Sequence, residues 1–286
     1  MTPDRMTRRE LISAAALASA AIALGGRARP LQAADTAKRI PIGLQLYSVR
    51  QDCAKDVGAV IAAVGKMGYE GVEFAGYHGK KAEELRKMMD DAALKCCGTH
   101  TGFNTILGDQ LKGTIEFNKT LGNKFLIVPG LPGKYTGSKA GWLEVAKIFN
   151  DASQKAGEQG MIVGYHNHSV EWKKLEGDLG WDIFAGATKP EVSLQVDFGN
   201  AMHGGGDPIA ALKKWPGRAK TVHLKEYSKT KAVIGDGEVD WKTVFSICES
   251  TAGTEWYIVE DEAGDKTRTP LQRVEQSLKN LKKMGK

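Results

Sequence analysis

The sequence predicts a single-domain α/β protein, a (β/α)8 TIM barrel, and three observations carry that expectation. Eight short apolar runs alternate with eight stretches of helical spacing between residues 42 and 283. A barrel of this kind needs about 250 residues in that alternation. No linker or composition break divides this part of the chain. The first strand runs into Leu-Tyr-Ser-Val-Arg50 with neither G-x-G-x-x-G nor a phosphate loop, so the rival open, doubly wound sheet lacks its usual signature.

Taken in order, residues 42–47 form a first strand and 56–67 a helix with apolar positions three and four apart. Residues 71–75 form a second strand, 80–94 a helix, 95–100 a third strand and 111–121 a helix. A fourth strand at 124–129 precedes a long helix at 139–159, and a fifth at 161–166 precedes a helix around 181–185. The sixth strand, 193–197, ends on Asp197. A Gly-rich connection and a helix opened by Asp207-Pro208 lead to the seventh, Ala-Lys-Thr-Val-His223. Asp before Pro is a strong helix-start signal. Residues 239–249 form a helix, 255–260 the eighth strand and 270–283 a closing helix.

Ahead of the barrel, residues 1–34 read as a twin-arginine export signal, leaving 35–286 as the barrel. Thr7-Arg8-Arg9-Glu10-Leu11-Ile12 precedes an apolar, Ala-rich stretch from Leu11 to Leu24, with small residues at Ala33 and Ala34. That stretch is too short for a convincing membrane span, so a cleaved signal and a periplasmic protein are expected, without stable membrane insertion. An uncleaved N-terminal anchor is the lesser reading. The signal carries five Arg and two acids, so the remainder holds 35 basic and 32 acidic residues, net +3 against +6 for the whole chain. No Lys/Arg run is interleaved with aromatics, and nucleic acid is not expected as a partner. The four cysteines show no metal-type spacing, and Cys96 and Cys97 point to opposite faces of their strand. Small apolar packing is their default role.

None of the six histidines falls inside a predicted helix. His100, His166 and His223 close strands three, five and seven, and His168 sits two residues beyond strand five. Asp197 and Glu260 end strands six and eight, and Glu73 lies near the end of strand two. In a barrel these positions converge on the rim where catalytic groups sit. Singly, each has an ordinary structural reading: a hydrogen-bonded His, a loop-capping Asp, an ion-paired Glu. Strands five to eight ending in His, Asp, His and Glu point jointly to a bound divalent cation. Carboxylates with imidazoles suit Mn, Co, Zn or Fe(II), and a mostly oxygen site would favour Mg.

The motifs Tyr165-His-Asn-His168-Ser-Val-Glu171-Trp, Val196-Asp197 with Gly-Gly-Asp207-Pro208, Gly217-Arg218 leading to Val222-His223-Leu-Lys225-Glu226, Gly235-Asp-Gly237-Glu-Val-Asp240-Trp and Ile258-Val-Glu260-Asp-Glu262 together resemble the sugar phosphate isomerase/epimerase superfamily of xylose isomerase-like TIM barrels. The likeness covers nearly all of residues 40–284. It implies a divalent metal held by Glu, Asp, His and Glu on strands five to eight. Asp197, His223 and Glu260 match by position, and His166 stands where the strand-five Glu would be. His166 is therefore the expected fourth ligand, with His168 and Glu171 as alternatives.

The resemblance further implies a small sugar or keto-sugar substrate and proton abstraction beside its carbonyl. Glu260 would act on one side and His168 or Glu171 on the other. Lys225, two residues past His223 on one strand face, is the natural electrophile or proton donor; its structural alternative is a salt bridge to Glu226 or Asp236. His100, Glu73 and Trp172 are the expected substrate contacts, with core packing or a core hydrogen bond as their structural alternatives. The first expectation is a metal-dependent sugar isomerase/epimerase. A keto-glycoside lyase or dehydratase acting by β-elimination comes second because of His166. A non-catalytic periplasmic sugar-binding protein is the reading of another class. A homo-oligomer is compatible with all three.

Overall fold

The computed structural model describes residues 39–264 and 267–286; the predicted export signal lies outside the described residues. Eight parallel strands close into a barrel in simple sequential order. They are β1 (Ile42–Gln45), β2 (Gly71–Ala75), β3 (Lys95–His100), β4 (Phe125–Val128), β5 (Ile162–His166), β6 (Ser193–Asp197), β7 (Thr221–Leu224) and β8 (Trp256–Val259). Their residues are almost all buried, because each strand has the barrel interior on one side and helices on the other.

The principal outer helices are α1 (Arg50–Met67), α2 (Ala82–Asp91), α3 (Gln110–Leu121), α4 (Lys139–Gly157), α5 (Gly180–Ala187), α6 (Pro208–Lys214), α7 (Trp241–Cys248) and α8 (Pro270–Lys283). The Asp207 carboxylate accepts from the Ala210 N–H at 2.9 Å, as the Asp-Pro pair predicts. Thr269 and Gln272 close a reciprocal capping box on α8; caps of this kind are worth about 1 kcal/mol each. Between α4, α5 and β5, Phe149 lies edge-on to Phe184 (5.0 Å) and to Tyr165 (5.8 Å). Truncating such a ring costs about 3–5 kcal/mol. Among the described residues no helix is long and apolar enough to cross a membrane.

Several expectations need correction. Strand one stops at Gln45, and Leu46–Val49 is a 3-10 turn leading directly into α1. That helix begins six residues earlier than predicted and is broken at Asp56 (φ −156°, ψ 95°), whose carboxylate caps Ala59; local capping hid the continuity. The short helix Phe198–His203 ends on His203, against the expectation that no histidine lies in a helix. A small hairpin, Lys174–Leu175 with Asp178–Leu179, was too short to show periodicity. All four cysteines are buried and free.

Register positions the site. Gln45 lies opposite Glu73, His166 opposite Gln195, and Asp197 opposite His223. Because side chains alternate along a strand, Gln195 and Asp197 share the inward face of β6 at successive heights.

Candidate metal centre

The apolar runs of β5, β6 and β7 end on His166, Asp197 and His223, and Glu260 follows β8, its N–H donating to Leu224 O at 3.1 Å. Asn167 ties the ends of β5 and β6 together: its Oδ1 accepts from Asp197 N at 2.8 Å and its Nδ2 donates to Asp197 O at 3.2 Å. One ligand atom from each of His166, Asp197, His223 and Glu260 lies within 4.8 Å of the others, and all four residues are buried. Asp197 Oδ2 stands 3.9 Å from His166 Nε2 and 3.8 Å from His223 Nδ1. His223 Nδ1 lies 2.7 Å from Glu260 Oε2.

Asp197 splits its carboxylate between two tasks. Oδ1 caps the helix Phe198–His203 through the Asn200 N–H at 2.7 Å. Among the described residues Oδ2 is buried without a hydrogen-bond partner, a cost of about 1–3 kcal/mol or more for an ionised oxygen. Burial pushes this carboxyl up to about 7. An unpaired carboxylate oxygen facing two ring nitrogens at these separations is what a cation with ~2.0–2.2 Å bonds requires. The residues present therefore fit a divalent ion, and two imidazoles with two carboxylates suit Zn, Mn, Co or Fe(II) better than Mg.

Residues 61–284 match the family described as a xylose isomerase-like TIM barrel. The chain belongs to that family. A solved sugar phosphate isomerase/epimerase from Parabacteroides distasonis is similar at 29% identity and a TM-score of 0.75, over 86% of this chain and 98% of that one. An inosose dehydratase from Clostridium botulinum is 23% identical, covering 82% of this chain and 93% of its own. A solved L-ribulose 3-epimerase shares the fold, with 13% identity, a TM-score of 0.64 and 85% and 94% coverage of the two chains.

Within this xylose isomerase-like barrel, electrostatics sort the cluster. Burial alone would raise Glu260, but its hydrogen bond to His223 and the charges of His223 and Lys225 hold it well below the ordinary carboxylate value. Burial would lower His223, yet Glu73 and Glu260 on either side carry it up to about 10. Burial, reinforced by His223 and His100, holds His166 well below the usual imidazole value, so it is neutral. His168 is exposed at the rim, its ring 4.9 Å from that of His166. Partial desolvation lowers its pKa, with Glu260 opposing and Lys225 assisting. A cavity of about 260 Å³ opens beside the cluster, lined by Asn200, His203, Lys225, Glu260 and Glu262 among others.

The remaining candidates are placed differently from expectation. Lys225 pairs with Glu262, not Glu226 or Asp236. Desolvation opposes its charge, but Asp197, Glu260 and Glu262 outweigh it and raise its pKa. Lys225 thus stays cationic and is a poor proton donor. Glu226 instead ties its loop together, accepting from Gly235 N, Val239 N and the Trp241 indole.

Glu171 is buried with both oxygens engaged, by the Tyr165 hydroxyl and by His168 N at 2.9 Å. So held, it braces the His168 loop. Trp172 is buried against Trp181 (ring centroids 5.7 Å) and donates to His168 O at 2.9 Å, so it offers no face to a sugar. Glu73 is fully buried below the cluster. His100, half-buried, stacks on His223 (5.1 Å, 9°) and meets Gln195 Oε1 at 2.9 Å, the hydrogen bond of its structural alternative. Gln195 and Asn167 belong to the site without being among the residues the sequence singles out. Gln195 had a legible signal: it lies two residues before Asp197 and so shares its face.

Proposed function

We propose that this chain is a divalent-metal-dependent enzyme that removes a proton from the carbon beside a sugar carbonyl and then expels the oxygen substituent one carbon further on. A cation held by His166, Asp197, His223 and Glu260 would polarise the carbonyl oxygen and favour loss of the adjacent proton. His168, at the rim and with a depressed pKa, is neutral near pH 7 and serves as the base. The C–H electrons form the new double bond as the β carbon–oxygen bond breaks, and protonated His168 returns its proton to the departing oxygen. Lys225, held cationic, offsets negative charge that develops near the substrate oxygens.

The observation that carries elimination ahead of epimerisation is His166 in place of a strand-five carboxylate, with Glu171 already engaged. Epimerisation by two carboxylates needs one on each face of the substrate, and strand five ends in His166 in place of the carboxylate that would stand opposite Glu260. The inosose dehydratase relatives support this order. The sugar phosphate isomerase/epimerase relative supports a second reading, in which the same deprotonation ends in isomerisation or epimerisation.

Incubating metal-loaded protein with keto-sugars and with a 3-keto-glycoside in deuterated water separates the two. Release of the aglycone supports elimination, and deuterium at carbon without release supports isomerisation. Tight sugar binding that survives a chelator, with no turnover, would return the chain to the sugar-binding class. The twin-arginine motif supports action in the periplasm: replacing Arg8 and Arg9 by Lys should retain the protein in the cytoplasm.

A further inference from the structure

Directly beneath the cluster lies a layer of buried polar groups joined by short hydrogen-bond contacts. Gln45 Oε1 accepts from the Tyr47 backbone N–H at 3.0 Å, so its amide NH2 must face the other way, toward Glu73 Oε2 at 2.7 Å. Gln195 Nε2 lies 2.9 Å from Glu73 Oε1 and 2.8 Å from Thr221 Oγ1. A carboxylate only accepts, and the Glu73 carboxyl is ringed by the fixed Gln45 amide NH2, the Gln195 amide and the His100 and His223 rings. The Gln195 NH2 is therefore fixed on the Glu73 side, and its Oε1 faces His166 Nδ1 at 3.0 Å and His100 Nε2 at 2.9 Å. Glu73 Oε2 also lies 2.6 Å from His223 Nε2.

We propose that Glu73 and Gln195 are positioning residues that keep a hydrogen on His166 Nδ1 and on His223 Nε2, so that His166 Nε2 and His223 Nδ1 are the nitrogens presented to Asp197 and Glu260. This rests on the metal-dependent reading above and deepens it. The two imidazoles form a shared wall, with ligand atoms above and acceptors below. The hydrogen bond made by one ring nitrogen decides what the other can do. Every neighbour of Glu73 presents a donor, so an amide at this position must point its NH2 at one of them. That turns either Gln195 or His223 around and places a hydrogen on a nitrogen needed above.

The test uses cobalt(II) alone, titrated into the chelator-treated full chain and read by its d–d absorption. Glu73→Gln should weaken cobalt binding about 10–100-fold, as loss of a carboxylate behind a ligating His does, in protein whose circular dichroism shows it folded. The exchange Glu73→Gln with Gln195→Glu restores every donor–acceptor match and should recover most of the affinity. Unchanged affinity in the single variant, or no recovery in a folded double variant, overturns the proposal.

Imidazole 15N chemical shifts decide it independently should the variants fail to fold. His166 must carry its hydrogen on Nδ1 in metal-free wild type, and His223 must keep Nε2–H in the zinc-loaded protein. Hydrogen on His166 Nε2 sinks the inference. Wild type that takes up neither cobalt nor zinc sinks the metal reading instead, while the His166 shift still judges this one.

Discussion

Glu73 occupies the space that a side chain on Gly98 would need. The two residues are partners across β2 and β3, and a Cβ built on Gly98 collides with the Glu73 carboxylate. Gly98→Ala should therefore displace the carboxylate that His223, Gln45 and Gln195 all reach. Overpacking of this sort costs about 1–3 kcal/mol. A urea melt should show that loss, and cobalt affinity should fall with it, since Glu73 can no longer hold His223.

Asp197 permits a cleaner separation of fold from site. Asn is as good a helix cap as Asp, so Asp197→Asn keeps an acceptor for Asn200 N and removes a buried charge whose Oδ2 has no partner among the described residues. Thermal stability of the metal-free protein should hold or rise, while metal content after purification drops to background and turnover falls at least about 100-fold, more than loss of a supporting contact produces. Elemental analysis beside a melting curve reads both. Full metal content in Asp197→Asn would mean that the cluster is not the metal centre.

Glu171 predicts a contrast between two substitutions. Glu171→Ala strands the Tyr165 hydroxyl and the His168 N–H, at about 1–3 kcal/mol for each buried group left unpaired. Glu171→Gln can accept from His168 N and donate to the Tyr165 oxygen, so it should retain most of the stability. If Glu171 were instead the base, the Gln variant would be stable but inactive. Paired denaturation and activity measurements distinguish the two roles.

The thiols predict a pH signature. Burial is the leading cause that pushes Cys53, Cys96 and Cys248 up to about 12 from an ordinary value of 9.0, and Cys97 well above it. The folded chain should resist thiol reagents at pH 8 and react fully once unfolded. An unfolded thiol ionises near 9 and the folded one only near 12, so stability is unaffected below pH 9 and declines as pH rises toward 12. Rapid labelling of native protein at pH 8 would show that these sites are not sealed.

Alternation of apolar runs and helical stretches is local information, and β2, β3, β6 and α8 fall where the sequence alone places them. Polar residues closing consecutive strands were equally legible, because a parallel barrel delivers its strand ends to one rim. What the tertiary structure decided was direction and partnership. Glu73 reaches His223 across 150 residues of chain and Gln195 across 122, contacts set only when the barrel closes in its register. The engagement of Glu171 by Tyr165, the turn of Lys225 toward Glu262 and the partnerless oxygen of Asp197 have the same origin. A side chain's periodicity says which face it takes, but its charge state and hydrogen-bond partners belong to the neighbours that folding brings to it.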